Sequence, residues 1–397
     1  MADKYFSLEK ILVMILCGGK GERLYPLTRD RAKPSVPFLG SYRIIDFSLS
    51  NCLNSGLRKI ALLTQYKSLS LERHILNGWN IFHPESKGFV ISLPAQGRVA
   101  DHWYEGTADA VFQNIYTIQS ENPEAVLVLS GDHIYKSDYR AIIEFYNKKE
   151  ADAVVLAKLK PRAEASRFGV IDADDQSRIL RFIEKPKNPP GTPWDPETTM
   201  ISMGVYLFRT HVLIKALLRD AKDAASSHDF GKNILPRLIN ESRVFAYPFE
   251  GYWEDIGTID AYWKANQLFL SPAPPLVVQD PSWPIRTYKP QYPPSFFRKG
   301  TIRSSIVSSG CMIQDSLLQD AILSPGVKVA EGARIEGAIL FEGAEVGRNA
   351  RLQGVIVDKF AKIPDGFVIG ADEKEDARYF KLSAGKIRVV PKSWKLE

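Results

Sequence analysis

Between Leu16 and Pro34, three glycines (Gly18, Gly19, Gly21) and five cations (Lys20, Arg23, Arg29, Arg31, Lys33) crowd directly behind the apolar run Ile11 to Cys17. Glycines without a Cβ let backbone N–H groups turn against an anion, and Arg23 and Lys33 can reach the same anion through charge-assisted hydrogen bonds. The chemistry indicated is the cradling of a nucleoside triphosphate at the end of a strand. The segment lacks the Gly-Lys-Ser/Thr ending of a P-loop and the spacing of the dinucleotide fingerprint, so neither of those sites is expected. A glycine-rich turn can be purely structural, but a structural turn does not need those cations.

Two carboxylates are candidates for a cation. Ala125 to Ser130 has the pattern of a buried strand and ends in Gly131, Asp132 and His133, which sets Asp132 at a strand's carboxyl end, where an unpaired charge is costly unless it holds a cation. A second carboxylate lies far along the chain, in the run Trp253, Glu254, Asp255, Ile256, Gly257 and Thr258. Two carboxylates together with nucleotide oxygens suit Mg²⁺, and the plain alternative for Asp132 is a turn or helix cap. In the run Phe182 to Pro186, Lys185 could bind a substrate phosphate as a point charge while Glu184 accepts hydrogen bonds from sugar hydroxyls; the plain alternative is an exposed ion pair. The six histidines, His74, His83, His102, His133, His211 and His228, form no local ligand pattern and no triad with a serine, so none is given catalytic work.

These residues need a frame. Up to about residue 270, the strand candidates Ile60 to Thr64, Ala125 to Ser130, Ala153 to Leu159 and Val205 to Phe208 alternate with amphipathic stretches such as Ala108 to Gln119 and Tyr139 to Lys149. That alternation predicts an α/β domain over 1–270 with a mostly parallel sheet and ligands beyond the carboxyl ends of its strands. Residues 271–300 carry Pro272, Pro274, Pro275, Pro281, Pro284, Pro290, Pro293 and Pro294 and read as an extended linker.

Over 301–397 a repeat emerges, with Val307, Met312, Leu318, Leu323, Val329, Ile335, Leu340, Val346, Leu352, Val357, Ile363 and Ile369 as inward aliphatics at steps of five or six. Gly310, Ser316, Ala321, Ala333, Ala338, Ala344, Ala350 and Ala361 sit two positions ahead of most of them. This predicts a parallel β-helix, a sandwich of short strands having no reason to keep that step.

Bulk properties narrow the class. The chain has 397 residues, 45% hydrophobic and 25% charged, enough for a large core and two or more domains. A formal charge of +6 helps attract small anions but is far from a nucleic-acid-binding stripe, so no nucleic acid is expected. Cys17, Cys52 and Cys311 are odd in number and widely spaced, which argues for a reducing compartment. The apolar run at Ile11 is too short to span a bilayer, so no membrane is expected and the location expected is cytoplasmic.

The run Gly18 to Leu24 with Arg31-Ala32-Lys33-Pro34 resembles the signature of sugar-nucleotide pyrophosphorylases. Tyr42 to Phe47, Trp103 to Ala110, Ser227 to Lys232 and Trp283 to Tyr288 resemble runs of the glucose-1-phosphate adenylyltransferase family, and the likeness covers nearly the whole chain. The resemblance implies a Rossmann-like nucleotidyltransferase domain followed by a left-handed parallel β-helix. It implies that ATP and glucose 1-phosphate become ADP-glucose and pyrophosphate, the first committed step of glycogen or other α-glucan synthesis.

By the same resemblance, Gly18, Gly19, Gly21, Arg23 and Lys33 would hold the ATP phosphates, with Gln65, Gln96, Gly106 and Thr107 near the nucleotide. Asp132 and Asp255 would hold Mg²⁺, with Arg23, Lys33 and Asp132 as the catalytic set. Tyr104, Gly169, Glu184, Lys185, Ser202 and Asp229 would surround glucose 1-phosphate. Asp30 stands where some bacterial relatives place a lysine for a phosphorylated activator, which departs from the family pattern; Arg43 and Arg378 remain candidate contacts for anionic effectors. A homotetramer is implied.

Three other readings stand beside this one. They are a pyrophosphorylase using UTP or GTP, an acyltransferase working from the β-helix, and a non-enzymatic regulatory subunit. Against the second, no histidine lies beyond His228 to act as base.

Overall fold

A computed structural model of the chain describes residues 7–95 and 103–396. Its centre is the strand Ile11–Cys17, apolar at every position because both faces of a parallel sheet are covered. Lys59–Thr64 and Ala125–Ser130 flank it in parallel register, Leu16 opposing Leu63 on one side and Ser130 on the other. Phe89–Pro94 continues the parallel run beyond Lys59–Thr64. On the far side the strand Thr198–Arg209 reverses direction and pairs antiparallel with Ala125–Ser130, Ala153–Pro161 and Gly169–Ala173. Its pairing with Ala153–Pro161 shifts between Ser202 and Tyr206, where Gly204 has φ +68°, a left-handed backbone that glycine takes without strain. The sheet thus has a parallel centre, where the glycine loop and Asp132 emerge, and an antiparallel wing.

The amphipathic stretch from Ala108 to Gln119 forms two helices, Thr107–Phe112 and Ile115–Glu121. The break has a local cause: Gln113 donates to Asp109, and Asn114 donates both to the Ala110 carbonyl and to the Tyr104 hydroxyl. Inward-turned amides compete with the helix ladder at that point.

The repeat folds as three parallel sheets. Ile313, Val329, Val346 and Ile363 stack inside one, and Leu318, Ile335, Leu352 and Ile369 inside the next. The third stacks Val307, Leu323, Leu340 and Val357. One position departs from the expected pattern: Met312 faces outward at 44% exposure while Ile313 is buried, a one-residue difference that exchanges faces in a strand. The buried alanines, Ala321 to Ala361, fit where larger side chains would collide at the corners.

The third sheet is buried on its outer face too. Ile322, Ile339, Ile356 and Val389 pack with Leu24, Val36, Phe38, Ile44, Phe47 and Tyr262 of the α/β part of the chain. Each such aliphatic contributes about 1.5–3 kcal/mol relative to exposure. Tyr262 donates to the Pro37 carbonyl (2.5 Å) within the α/β part, and across the junction Trp263 donates to the Gly337 carbonyl (2.8 Å). The proline-rich stretch contains neither helix nor strand before Phe296, yet it is docked. Trp283 donates to Asn51, and Arg286 donates to the Gly78 carbonyl.

Candidate active site

A cleft of about 760 Å³ opens beyond the carboxyl ends of the central strands. Its floor comes from the chain leaving Ile11–Cys17. Gly21 has φ +62° and its carbonyl accepts from the Thr28 hydroxyl (2.9 Å), which ties the loop into a closed turn. A Cβ on Gly19 would meet nothing within 4 Å, so the backbone there is open to a ligand. Arg23 stands exposed on the short turn Glu22–Leu24 and makes no ion pair among the described residues. Its guanidinium lies over Gly257, where a Cβ would come 3.2 Å from Nη2.

Gly131 lets two neighbouring strands end side by side, since a Cβ there would strike Cys17 Sγ at 2.8 Å. Asp132 follows. Asp255 reaches it through a two-stranded ribbon in which Trp253–Asp255 pairs antiparallel with His133–Tyr135, Asp255 opposing His133. Between the carboxylates sits the buried Lys33, Nζ 2.7 Å from Asp132 Oδ2 and 2.8 Å from Asp255 Oδ1. Burial works against the Lys33 ammonium, but Asp132 and Asp255 outweigh it and hold its pKa above the ordinary lysine value. Burial also opposes ionisation of Asp132, which Lys33, then His133, overturn, holding it well below the usual carboxylate range. Ser130 donates to the other Asp132 oxygen. Burial, then Asp132, push the Cys17 thiol up, so this cleft-wall cysteine is no nucleophile.

The donor atoms of Asp132, His133 and Asp255 lie within 4.8 Å of one another, a set of hard oxygens and one imidazole that fits a divalent cation. The Lys33 ammonium marks where positive charge is favoured. His133 is a member the sequence reading missed; its adjacency to a strand-end aspartate was the available signal, and the ribbon that brings Asp255 opposite was not legible.

Gly18, Gly19, Gly21, Arg23, Lys33, Gln65, Tyr104, Gly106, Thr107, Asp132 and Asp229 all line the cleft with Lys20 of the loop cations, joined by Ser130 and Gly257, which the sequence reading did not select. Gln96 lies outside the described residues. Gln65 uses its amide on the Tyr104 backbone, accepting from the N–H at 2.5 Å and donating to the carbonyl at 3.4 Å. Tyr104 sits beside the glycine loop, Cδ2 3.7 Å from a Cβ placed on Gly18, and its hydroxyl turns away to the Leu93 carbonyl and Asn114. Asp229 spends Oδ1 on the N–H groups of Gly231 and Lys232, while Oδ2 accepts from Thr107.

Gly169, Glu184, Lys185 and Ser202 form a second group beside this lining. Gly169 opposes Glu184 in the hairpin, and the Glu184 carboxylate lies so close over Gly169 and Gly231 that a Cβ would come 2.9 Å and 2.4 Å from Oε2. Lys185 pairs with Glu184 at 2.7 Å and leaves 59% of its side chain exposed. The Ser202 hydroxyl accepts from Gly204 N–H (3.2 Å) and reaches the Tyr206 hydroxyl. Burial, then Ser202 opposing it, then Glu184 and Asp229, leave the Tyr206 phenol raised. A polar wall of this kind can hydrogen-bond a sugar.

The two remaining cations are apart from this cleft. Arg43 lines a small cavity of about 70 Å³ at the junction with the β-helix, together with His74, Tyr288, Glu342 and Lys359. It donates to the Ser70 carbonyl (3.0 Å) and hydroxyl (2.9 Å). Arg378 is 71% exposed on the helix Glu373–Tyr379 and pairs with Glu375 at 2.7 Å. No helix among the described residues is long and apolar enough to cross a membrane.

Comparison with known proteins agrees with this architecture. The nucleotidyl transferase family matches residues 12–271, and the GlmU-like C-terminal hexapeptide family matches 294–390. Among full-length relatives, the glucose-1-phosphate adenylyltransferase of Koribacter versatilis (strain Ellin345) is 46% identical, covering 97% of this chain and 96% of its own. Glucose-1-phosphate adenylyltransferase 2 of Vibrio vulnificus (strain CMCP6) is 48% identical over 98% of this chain and 100% of its own. The glucose-1-phosphate adenylyltransferase of Dechloromonas aromatica (strain RCB) is 43% identical over 95% of this chain and 90% of its own.

Proposed function

This chain belongs to the glucose-1-phosphate adenylyltransferase family, nucleotidyltransferases that make ADP-glucose, and from that membership we propose how its residues divide the work. A phosphate oxygen of glucose 1-phosphate attacks the α-phosphorus of ATP and pyrophosphate leaves. That oxygen is already ionised at neutral pH, so no general base is needed. The difficulty is alignment of two anions and neutralisation of their charge.

The open backbone around Gly19 and the unpaired Arg23 are placed to take the triphosphate. Thr107 and Asp229 bound the cleft toward the Glu184, Ser202 and Tyr206 wall, where we place the sugar, with Lys185 at its phosphate. Asp132 and Asp255 would hold the cation, which we assign as Mg²⁺; when bound it supplies charge neutralisation at the phosphates. Lys33 keeps the two carboxylates together and ionised.

The observation that carries the reading is the convergence of three residues far apart in sequence beside the glycine loop, Lys33 and Asp132 lining the cleft and Asp255 held to them through Lys33. We further propose a cytoplasmic homotetramer regulated by anionic metabolites. Arg43 and Lys359 support the regulation, since both line one cavity at the junction with the β-helix, where Lys359 pairs with Glu342 at 2.6 Å. Pyrophosphate release by the isolated chain, measured with ATP, UTP and GTP against glucose 1-phosphate and mannose 1-phosphate, tests the assignment. Release confined to ATP with glucose 1-phosphate is expected. Preference for another pair, or no release at all, would replace it with a different pyrophosphorylase or a regulatory subunit.

A further inference from the structure

We infer that His228 is a positioning residue for the transfer, a latch that holds segment 226–229 against the turn at the start of the helix Thr107–Phe112 and so sets two walls of the cleft from behind. The inference rests on the reading of the cleft given above. His228 is not itself among the cleft-lining residues, so any effect it has passes through its neighbours.

Three features converge on it. Its backbone is left-handed, φ +50°, a conformation that a residue with a side chain holds only when its surroundings enforce it. Its carbonyl accepts from Ala108 N–H at 2.8 Å and from Asp109 N–H at 3.2 Å, capping that helix where its first amides would otherwise be free. Its imidazole is anchored, with Nδ1 2.8 Å from Asp220 Oδ2, a carboxylate that is 3% exposed at the end of the helix Thr210–Asp220.

The anchor is braced further. The other Asp220 oxygen accepts from the Ser226 hydroxyl (2.7 Å), whose oxygen accepts from the His228 N–H (3.0 Å). The opposite face of the latch is Gly106, where a Cβ would lie 2.1 Å from the His228 carbonyl oxygen; only glycine lets the two backbones approach this closely.

The consequence reaches the cleft one residue on. Asp229 and Thr107 are bonded to each other at 3.0 Å, and Phe230 N–H donates to the Thr107 hydroxyl at 2.9 Å. Both partners line the cleft, and Asp229 leads into the Gly231 backbone under Glu184. Loss of the imidazole anchor leaves the left-handed turn without its support. The fraction of molecules holding Asp229 and Thr107 in place then falls, and apparent affinity falls by the same fraction.

His228→Ala, His228→Gly and His228→Asn separate this from a general loss of stability. Asparagine tolerates the left-handed backbone and its amide can donate to Asp220 as Nδ1 does; glycine keeps the backbone and loses the anchor. For His228→Ala we expect KM for glucose 1-phosphate to rise about tenfold with kcat within about threefold. The Ala108 and Asp109 amides should exchange with deuterium about tenfold faster. His228→Gly should lie between wild type and alanine, and His228→Asn should return both readouts to within about twofold of wild type. Unchanged KM and unchanged amide protection in His228→Ala would overturn the latch, as would an asparagine variant no better than alanine. If His228→Ala does not fold, Asp220→Ala removes the same anchor and carries the same two readouts. A wild-type chain that makes no ADP-glucose would sink the reading of the cleft, while the amide exchange would still decide the latch.

Discussion

Arg31 and Asp358 form an ion pair, Nη2 to Oδ1 2.8 Å, with side chains 4% and 2% exposed, joining the segment behind the glycine loop to the β-helix. Arg31 also stands over the Phe341 ring at 5.9 Å, and its Nη1 has no hydrogen-bond partner among the described residues. Removing the carboxylate in Asp358→Ala strands a buried guanidinium, and the expected loss is about 3–5 kcal/mol of stability, read from the urea midpoint. Lys33 lies two residues from Arg31, so activity should fall with the junction. A loss below about 1 kcal/mol would put the pair among those that contribute little.

Lys33 and a divalent cation draw on the same carboxylate oxygens. Lys33→Met should therefore bind Mn²⁺ at least about tenfold more tightly in the absence of nucleotide, measured by water proton relaxation, because the competing ammonium is gone. Turnover should nonetheless drop by about a hundredfold or more, as when other electrostatic catalytic groups are removed. Mn²⁺ affinity that is unchanged or weaker would mean that the lysine does not compete.

Two glycines of the cleft should answer substitution oppositely. A Cβ at Gly106 meets two backbone carbonyls, His228 at 2.1 Å and Ser227 at 2.4 Å, neither able to turn aside, so Gly106→Ala should cost about 1–3 kcal/mol or more and raise KM. Gly19→Ala meets nothing within 4 Å and should melt like the wild type. Equal melting temperatures for the two variants would contradict the contact at Gly106.

Burial, against the pull of Lys160 and Arg167, leaves the Glu254 carboxyl above its ordinary value. Its folded-state pKa exceeds the unfolded one, so between the two values the folded chain binds more protons and stability falls as pH rises. Above the raised value the full penalty of burying a charge remains. Glu254→Gln should then be more stable than the wild type at pH 7 without metal. The difference should close near and below pH ~4, the ordinary glutamate range. Denaturation midpoints across that range check the sign; a glutamine variant that is less stable at pH 7 would reverse it.

Lys185 is largely exposed, and its ion pair with Glu184 should contribute little to folding. Lys185→Ala should keep the wild-type melting temperature while raising KM for glucose 1-phosphate, with KM for ATP little changed, the mark of lost ground-state binding. Equal weakening of both substrates would move Lys185 out of the sugar-phosphate site.

Much of this molecule was legible in its residues. Apolar runs and a period of six are written locally, because a strand covered on both faces is apolar at successive positions and the inward aliphatics of a β-helix recur once per face; hence Ala125–Ser130 and the stacks under Leu318 and Leu340 could be read directly. The glycine loop was equally local, and it gathers Lys20, Arg23 and Lys33 at the cleft, whereas Arg31 of the same run turns away to Asp358. Met312 was misread because a two-residue strand carries too little alternation to fix which neighbour points inward.

The partners of those local features were decided only in three dimensions. That Lys33 lies between Asp132 and Asp255, that Gln65 spends its amide on the Tyr104 backbone, and that His228 anchors to Asp220 depends on contacts between distant segments. The chain by itself determined which residues carry charge, flexibility and apolar surface, because these are properties of single side chains and short periods. Which charge meets which was settled by packing, because the strength of an ion pair or hydrogen bond depends on distance and burial, and only the folded chain sets either.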